Sequence, residues 1–385
     1  MILRTCGVLL ASFSLTAAAL PVPRQVQGNP TPAGVERVRR DQWHLSYLNA
    51  DKAQRISKGE GVIVAVPDTG VAPHPDLREN LLSGTDIVTA GSGDGWQDES
   101  SHGTGMAGLI AAHGQPDNSG ALGIAPEASI LPIRTSRTDQ DGDSDNLAAG
   151  IEFAVSRGAT VVSISSVAGP NTRLQRAVEL AIQANVIVVA GAGNKPRDEF
   201  VSFPAAYPGV IAVGGVDRAG NSARFSVTGP EIDVVAPAVD IYSTSIDGKY
   251  RKGTGTSDAT AIVAGAAALI RSKYPYLPAR EVAHRLTATA VDKGPPGRDD
   301  EYGYGVIDLV AALTADVPPL GFESVSAPAG AGSTTAAGAQ PGDDGSGATA
   351  RGLATLGLIL AVGVGWVVVA RWRRRGDDPP PRISR

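Results

Sequence analysis

Between Val62 and Val213, short apolar runs alternate with stretches of helical periodicity, and nothing else in the chain limits the fold as tightly. Val62 to Val66, Val186 to Ala190 and Val210 to Val213 are continuous apolar runs of strand length, and Val161 to Ile164, broken only by Ser163, reads as a further strand. Uninterrupted runs of this kind suit strands buried on both faces. The intervening and following stretches read as helices. One, over Gly103 to Ala112, is built of small residues, and another, over Asn146 to Arg157, is amphipathic with Ser144 or Asp145 as its cap. Leu174 to Ala184, the Ala-rich Ser257 to Tyr274, and Ala279 to Thr289 complete the set. The pattern predicts a three-layer α/β/α domain with a mainly parallel central sheet, helices on both faces, and a site at the carboxyl ends of the strands. A chain of 385 residues, 42% hydrophobic, suffices for one large core with extensions.

Three short segments carry the chemistry. Asp68 ends Val64-Ala65-Val66-Pro67-Asp68, directly after an apolar strand. Five apolar residues running into an acid argue for a buried carboxylate with a partner, although turn aspartates before Thr-Gly are common. His102 opens His102-Gly103-Thr104-Gly105, and an imidazole there exchanges protons near neutral pH. His44, His74, His113 and His284 lack that setting and read as structural. Ser257, in Gly255-Thr256-Ser257-Asp258, stands at a helix start, where exposed amides favour a nearby oxyanion. Alone it suits an N-cap equally well. Together, the three point to acyl transfer, with Ser257 as nucleophile, His102 as base then acid, and Asp68 as the orienting carboxylate.

The order Asp, His, Ser separates the convergent solutions to this chemistry, and it is the order of subtilisin-like chains. On these segments, the chain resembles the subtilases from about Trp43 to Leu313. The likeness extends to Val188 to Asn194, Phe225-Ser226 and Ala236-Pro237. Gln42-Trp43-His44-Leu45 before the domain and an apolar segment after it resemble the mycosins, membrane-anchored subtilases associated with type VII secretion. The resemblance implies that the Asn194 amide and the Ser257 N–H hold the oxyanion. An αL asparagine in a Gly-rich turn is the alternative for Asn194. It also implies a substrate groove at Ser165, Ser166, Val167 and Ala168, with Gly191 and Gly193 beside it. Here the chain departs from the family, since Val167 and Ala168 stand where relatives have glycine. Pro67 before the aspartate, Asp258 after the nucleophile and Ala261 in place of proline are further departures. Many subtilisins bind calcium, but Asp94, Asp98 and Glu99, and Asp139, Asp141, Asp143 and Asp145, lack the spaced glutamate of an EF-hand. They read as solvated loop charge, and no metal or other cofactor is expected.

The two ends set the address. Residues 1–20 read as a signal peptide, with Arg4, an Ala-rich apolar stretch and Ala17-Ala18-Ala19. The single cysteine, Cys6, lies inside it, so the processed chain has no disulfide and is held by its core. Residues 21–50 form an N-terminal extension, too short for a folded propeptide; by resemblance to mycosins it wraps the peptidase domain, residues 51–316. Residues 317–351 read as a flexible linker rich in Gly, Ala, Ser and Thr. Gly352 to Ala370 carries no charge and is long enough to span a bilayer as a transmembrane helix. Arg371 to Arg375 then begins a basic tail, residues 371–385, that places the C-terminus in the cytoplasm and the peptidase domain outside.

The expected protein is therefore an exported, membrane-anchored serine endopeptidase acting on proteins or peptides, with the bilayer and type VII secretion components as partners. A net charge of −5 and the lack of a nucleic-acid motif argue against nucleic-acid binding. Two rivals remain: a catalytically impaired subtilase serving as a structural partner, and a soluble degradative form released by cleavage in the linker.

Overall fold

The computed structural model describes residues 34–139 and 142–321. The expected signal peptide, residues 21–33 of the extension, Asp141, most of the expected linker, the apolar segment 352–370 and the basic tail lie outside these. Three short helices come first, α1 (Val35–Asp41), α2 (Trp43–Tyr47) and α3 (Ala50–Gln54). The central elements follow as β1 (Ile63–Asp68), β2 (Thr85–Asp86), α4 (His102–Ala111), β3 (Ser129–Arg134), α5 (Ser144–Ser156), β4 (Val161–Ile164), α6 (Thr172–Gln183), β5 (Ile187–Gly191) and β6 (Ile211–Val216). Next come β7 (Val234–Pro237), the antiparallel pair β8 (Ile241–Thr244) and β9 (Tyr250–Gly253), then α7 (Thr256–Lys273), α8 (Ala279–Ala288) and α9 (Leu309–Thr314).

Seven strands form one sheet in the order β2-β3-β1-β4-β5-β6-β7, and every neighbouring pair is parallel. β4, β5 and β6 are buried at every residue, as strands covered on both faces must be. Helices α4 and α7 pack together on one face, and α5 and α6 on the other. From β1 the chain runs to the edge strand β2, returns to β3 beside β1, then crosses to β4 on β1's other side. The order therefore reverses at β1, where a crevice opens at the strands' carboxyl ends. Pro67 is tolerated because β1 pairs with β4 only through Val64 and Ala65, so the proline falls beyond that pairing.

Both α4 and α7 are buried along nearly their whole length, which explains their small residues. The described part of the extension, from residue 34 on, is buried against the domain together with α3. Val38 and Ala53 are fully buried, and Trp43 and Leu48 nearly so. Gln42 donates to the carbonyls of Leu122 (3.0 Å) and Tyr242 (3.2 Å), and the Trp43 indole donates to Val239 (3.0 Å). The cap of α5 is Asp143, which accepts from the amides of Asp145 and Asn146, rather than Ser144 or Asp145. Among the described residues, no helix is long and apolar enough to cross a membrane.

Candidate active site

Asp68 ends β1, His102 begins α4, Asn194 lies in the turn after β5, and Ser257 lies in the first turn of α7. Asp68 is the last residue of β1 and is buried. His102 begins α4, and its Nδ1 lies 2.8 Å from Asp68 Oδ1. That contact makes Nδ1 the protonated nitrogen and leaves Nε2 free to accept. Burial lowers the proton affinity of His102, but the charge of Asp68 and its hydrogen bond outweigh this, and the net shift is upward. Asp68 Oδ1 also accepts the Thr69 amide at 2.7 Å, while Oδ2 has no hydrogen-bond partner.

The N-terminus of α4 is capped by a residue outside it. Asp98 Oδ1 accepts from the Ser100 and Ser101 amides and the Thr69 hydroxyl. Its Oδ2 accepts from the amide and hydroxyl of Thr104. Thr69 in turn accepts the Gly103 amide at 3.0 Å, and Thr104 accepts the Ala72 amide at 2.9 Å. One carboxylate thereby locks the turn after Asp68 to the helix that carries His102. The arrangement also holds Ser101 at a left-handed φ of 68° immediately before the histidine. Asp98 was expected to be solvated loop charge. It is 9% exposed, because the unsatisfied amides of a buried helix start require an acceptor there. The pair Ser100-Ser101 just before an apolar helix was the signal for such a cap.

Ser257 sits in the first turn of α7, whose N-cap is Gly255, so it does not serve as the cap itself. Its hydroxyl donates to the Ser165 carbonyl at 3.0 Å, and the Ser165 hydroxyl donates back to the Ser257 carbonyl at 3.2 Å. Among the described hydrogen bonds, none joins Ser257 to His102. Asn194 is not in the left-handed region; its neighbour Gly193, at φ 112°, makes the turn. The Asn194 amide is held from two sides. Its backbone N–H donates to Asp198 at 2.7 Å, and its Oδ1 accepts the Thr256 amide at 3.0 Å. With Oδ1 spent on α7, the Nδ2 donors are left for the crevice. The strand-like contacts of Phe225 to Val227 brace this turn, through Lys195 N to the Phe225 carbonyl and Val227 N to the Gly193 carbonyl.

Ser165, Ser166, Val167 and Ala168 follow β4 and are half-buried beside Ser257. Ala168 donates to the Phe203 carbonyl at 2.9 Å. Gly191 is packed under Thr256 and Thr260, and Gly193 against Asp198. Both glycines are therefore needed for close backbone packing, whatever they contribute to a groove. His44 and His74 are buried away from this chemistry; His74 accepts the Asp76 amide through Nδ1. Asp258, one of the departures from the family, is buried, and burial raises its pKa against the opposing pull of Arg251 and His102. Among the described residues, no cluster of three or more His, Cys, Asp or Glu side chains is arranged to hold a metal ion.

Comparison with known proteins agrees with this geometry. Residues 59–305 match the subtilase family, Peptidase_S8. Subtilisin DY from Bacillus licheniformis is 40% identical over 278 residues, covering 70% of this chain and 97% of the relative. A thermostable alkaline protease from Halalkalibacterium halodurans is 38% identical over 268 residues, covering 69% and 71%. Among solved structures, MycP1 from Mycobacterium smegmatis superposes with a TM-score of 0.67 at 30% identity, covering 75% of this chain and 88% of that one. The MycP3 protease from the type VII (ESX-3) secretion system gives 0.62 at 34% identity, covering 71% and 88%. The chain belongs to the subtilase family and is a subtilisin-like serine endopeptidase with mycosin proteases among its structural neighbours.

Proposed function

We propose that this is an exported, membrane-anchored endopeptidase of mycosin type, with Asp68, His102 and Ser257 as its catalytic triad and Asn194 as its oxyanion donor. The observation that carries this is the 2.8 Å contact of His102 Nδ1 with Asp68, which leaves Nε2 as the ring nitrogen able to accept a proton. On substrate binding, the Ser257 hydroxyl turns from the Ser165 carbonyl towards His102. Its oxygen attacks the peptide carbonyl carbon as Nε2 takes the proton. Charge then gathers on the carbonyl oxygen, facing the Ser257 amide and the Asn194 Nδ2. His102 returns the proton to the leaving amine, and water repeats the sequence on the acyl-enzyme. A fluorophosphonate probe tests this: the wild type should label at Ser257 and hydrolyse peptides, and Ser257→Ala should do neither while keeping its fold by circular dichroism.

The engagement of Ser257 with Ser165 favours one rival, an impaired subtilase that acts as a structural partner. A folded wild type that neither labels nor cleaves would establish it. The anchoring part of the proposal rests on the uncharged stretch 352–370 followed by Arg371 to Arg375. The type VII context rests on the mycosin neighbours. Deleting residues 351–385 should release the peptidase into the medium; its retention in washed membranes would overturn the sole-anchor claim.

A further inference from the structure

Two glycines near the catalytic base are kept empty by other side chains. A methyl group on Gly105, one turn along α4 from His102, would lie 2.5 Å from Arg251 Nη1 and 2.7 Å from its Cδ. One on Gly253 would lie 2.5 and 2.8 Å from the Asp258 carboxylate oxygens and 3.0 Å from Arg251 Nη2. The space that two ordinary side chains would take is thus occupied by a guanidinium from β9 and a carboxylate from the residue after Ser257. Asp258 is 2% exposed. Asp258 Oδ1 and Arg251 Nη1 are both buried without a hydrogen-bond partner, and the Arg251 charge opposes the effect of burial on Asp258. A pair built only for stability would be expected to close into hydrogen bonds. This one is held open beside the histidine.

We infer that Arg251 and Asp258 are positioning residues that set the proton affinity of His102, and with it the pH range in which Ser257 is activated. The inference rests on the triad reading above. Four charged groups bear on the imidazole electrostatically: Asp68, bonded to it from β1, Asp139 in the loop after β3, Arg251 of β9, which lies against Gly105 one turn along α4, and Asp258 in the first turn of α7. Asp68 and Asp139 favour the imidazolium, while Arg251 opposes it. Without Arg251, the acids would hold His102 protonated further into the working range, where it cannot accept the serine proton. Without Asp258, the Arg251 charge would act on His102 uncompensated. The pair is therefore a balance, and its two members must shift the base in opposite directions.

The experiment is the second-order rate of fluorophosphonate labelling of the full chain against pH, whose acid limb reports the base of the free enzyme. Arg251→Gln should raise that limb by about one pH unit, Asp258→Asn should lower it, and the charge-keeping Arg251→Lys should restore the wild-type position. Circular dichroism reports the fold of each variant. If Arg251→Gln does not fold, the near-isosteric Asp258→Asn carries the test alone. A limb unmoved in either folded variant, or moved the same way in both, overturns the inference while leaving the triad intact. A folded wild type that does not label at any pH overturns the triad reading and the inference with it.

Discussion

Gly103 lies so close to Gly70 that a methyl group on its Cα would sit 2.1 Å from the Gly70 carbonyl oxygen and 3.1 Å from the Asp68 Cβ. The residue after the histidine must be glycine because α4 starts directly against the turn that carries the acid. Backbone on both sides leaves nothing flexible to give way. Gly103→Ala should destabilise the protein by about 1–3 kcal/mol and lower kcat roughly a hundredfold by displacing His102. Urea unfolding and peptide kinetics check the two effects separately.

Asp98 supports the same helix from the other side. Asp98→Ala leaves the Ser100, Ser101 and Thr104 amides unsatisfied and releases the Thr69 hydroxyl. A stability loss of about 2 kcal/mol or more is expected, with a fall in kcat, although Asp98 does not touch the reacting atoms. Unchanged turnover would show that α4 keeps its place without this cap.

Asn194→Ala should lower kcat with little change in KM, because its amide acts on charge that exists only in the transition state. Removal of the corresponding donor in subtilisin sets the scale, roughly 10²–10³-fold. Since Asn194 Oδ1 also accepts the Thr256 amide, Asn194→Asp keeps that contact but loses the donors. It should be as inactive as the alanine variant and more stable. Initial rates and melting curves of the two variants distinguish the roles.

His44 gives the protein an acid-sensitive seam. Its ring is buried with neither nitrogen partnered, and burial pushes its pKa down to about 3. The folded state thus requires the neutral ring, whereas the unfolded chain protonates it below about 6.5. Stability is undiminished above that pH and erodes as pH falls from there towards about 3, by something on the order of 4–5 kcal/mol at the lower end. His44→Phe should flatten the fall in urea midpoint between pH 6.5 and 4. Parallel curves for the two proteins would contradict the assignment.

Val167 and Ala168 carry side chains on the segment that follows Ser165, so a narrow groove and a preference for small residues before the scissile bond are expected. Val167→Gly combined with Ala168→Gly should broaden the cleavage profile in a peptide library. A wild-type profile dominated by aromatic residues would contradict the reading.

The strands that flank the crevice were legible because β5 and β6 carry no polar side chain, β4 carries only Ser163, and β1 is apolar up to Asp68. β3 was not, since Pro132 and Arg134 break its pattern. Arg134 is nonetheless fully buried, because Asp86 at 3.1 Å, Gln97 and Glu99 receive its guanidinium. β2, with two residues, is too short to leave a signature, and β8 and β9 alternate too many polar residues. The short helices α1 to α3 have five to seven residues each, less than two full turns of periodicity. At the site, the residues that do chemistry were visible through their glycine-rich settings. Those that hold them, Asp98, Asp198 and Arg251, were not. Each acts on a backbone or a charge that only the folded chain brings near.

The seating of Gln42 on the Tyr242 carbonyl and of Trp43 on Val239 joins positions 200 and 196 residues apart. These bonds cannot form until the chain through the β8 hairpin has collapsed, so a segment made early is among the last to find its place. Such late closure makes folding slow and leaves a long interval in which the chain is open. Under the proposed export, that delay would keep the chain threadable, and the peptidase would be completed only after the β8 hairpin had arrived on the far side.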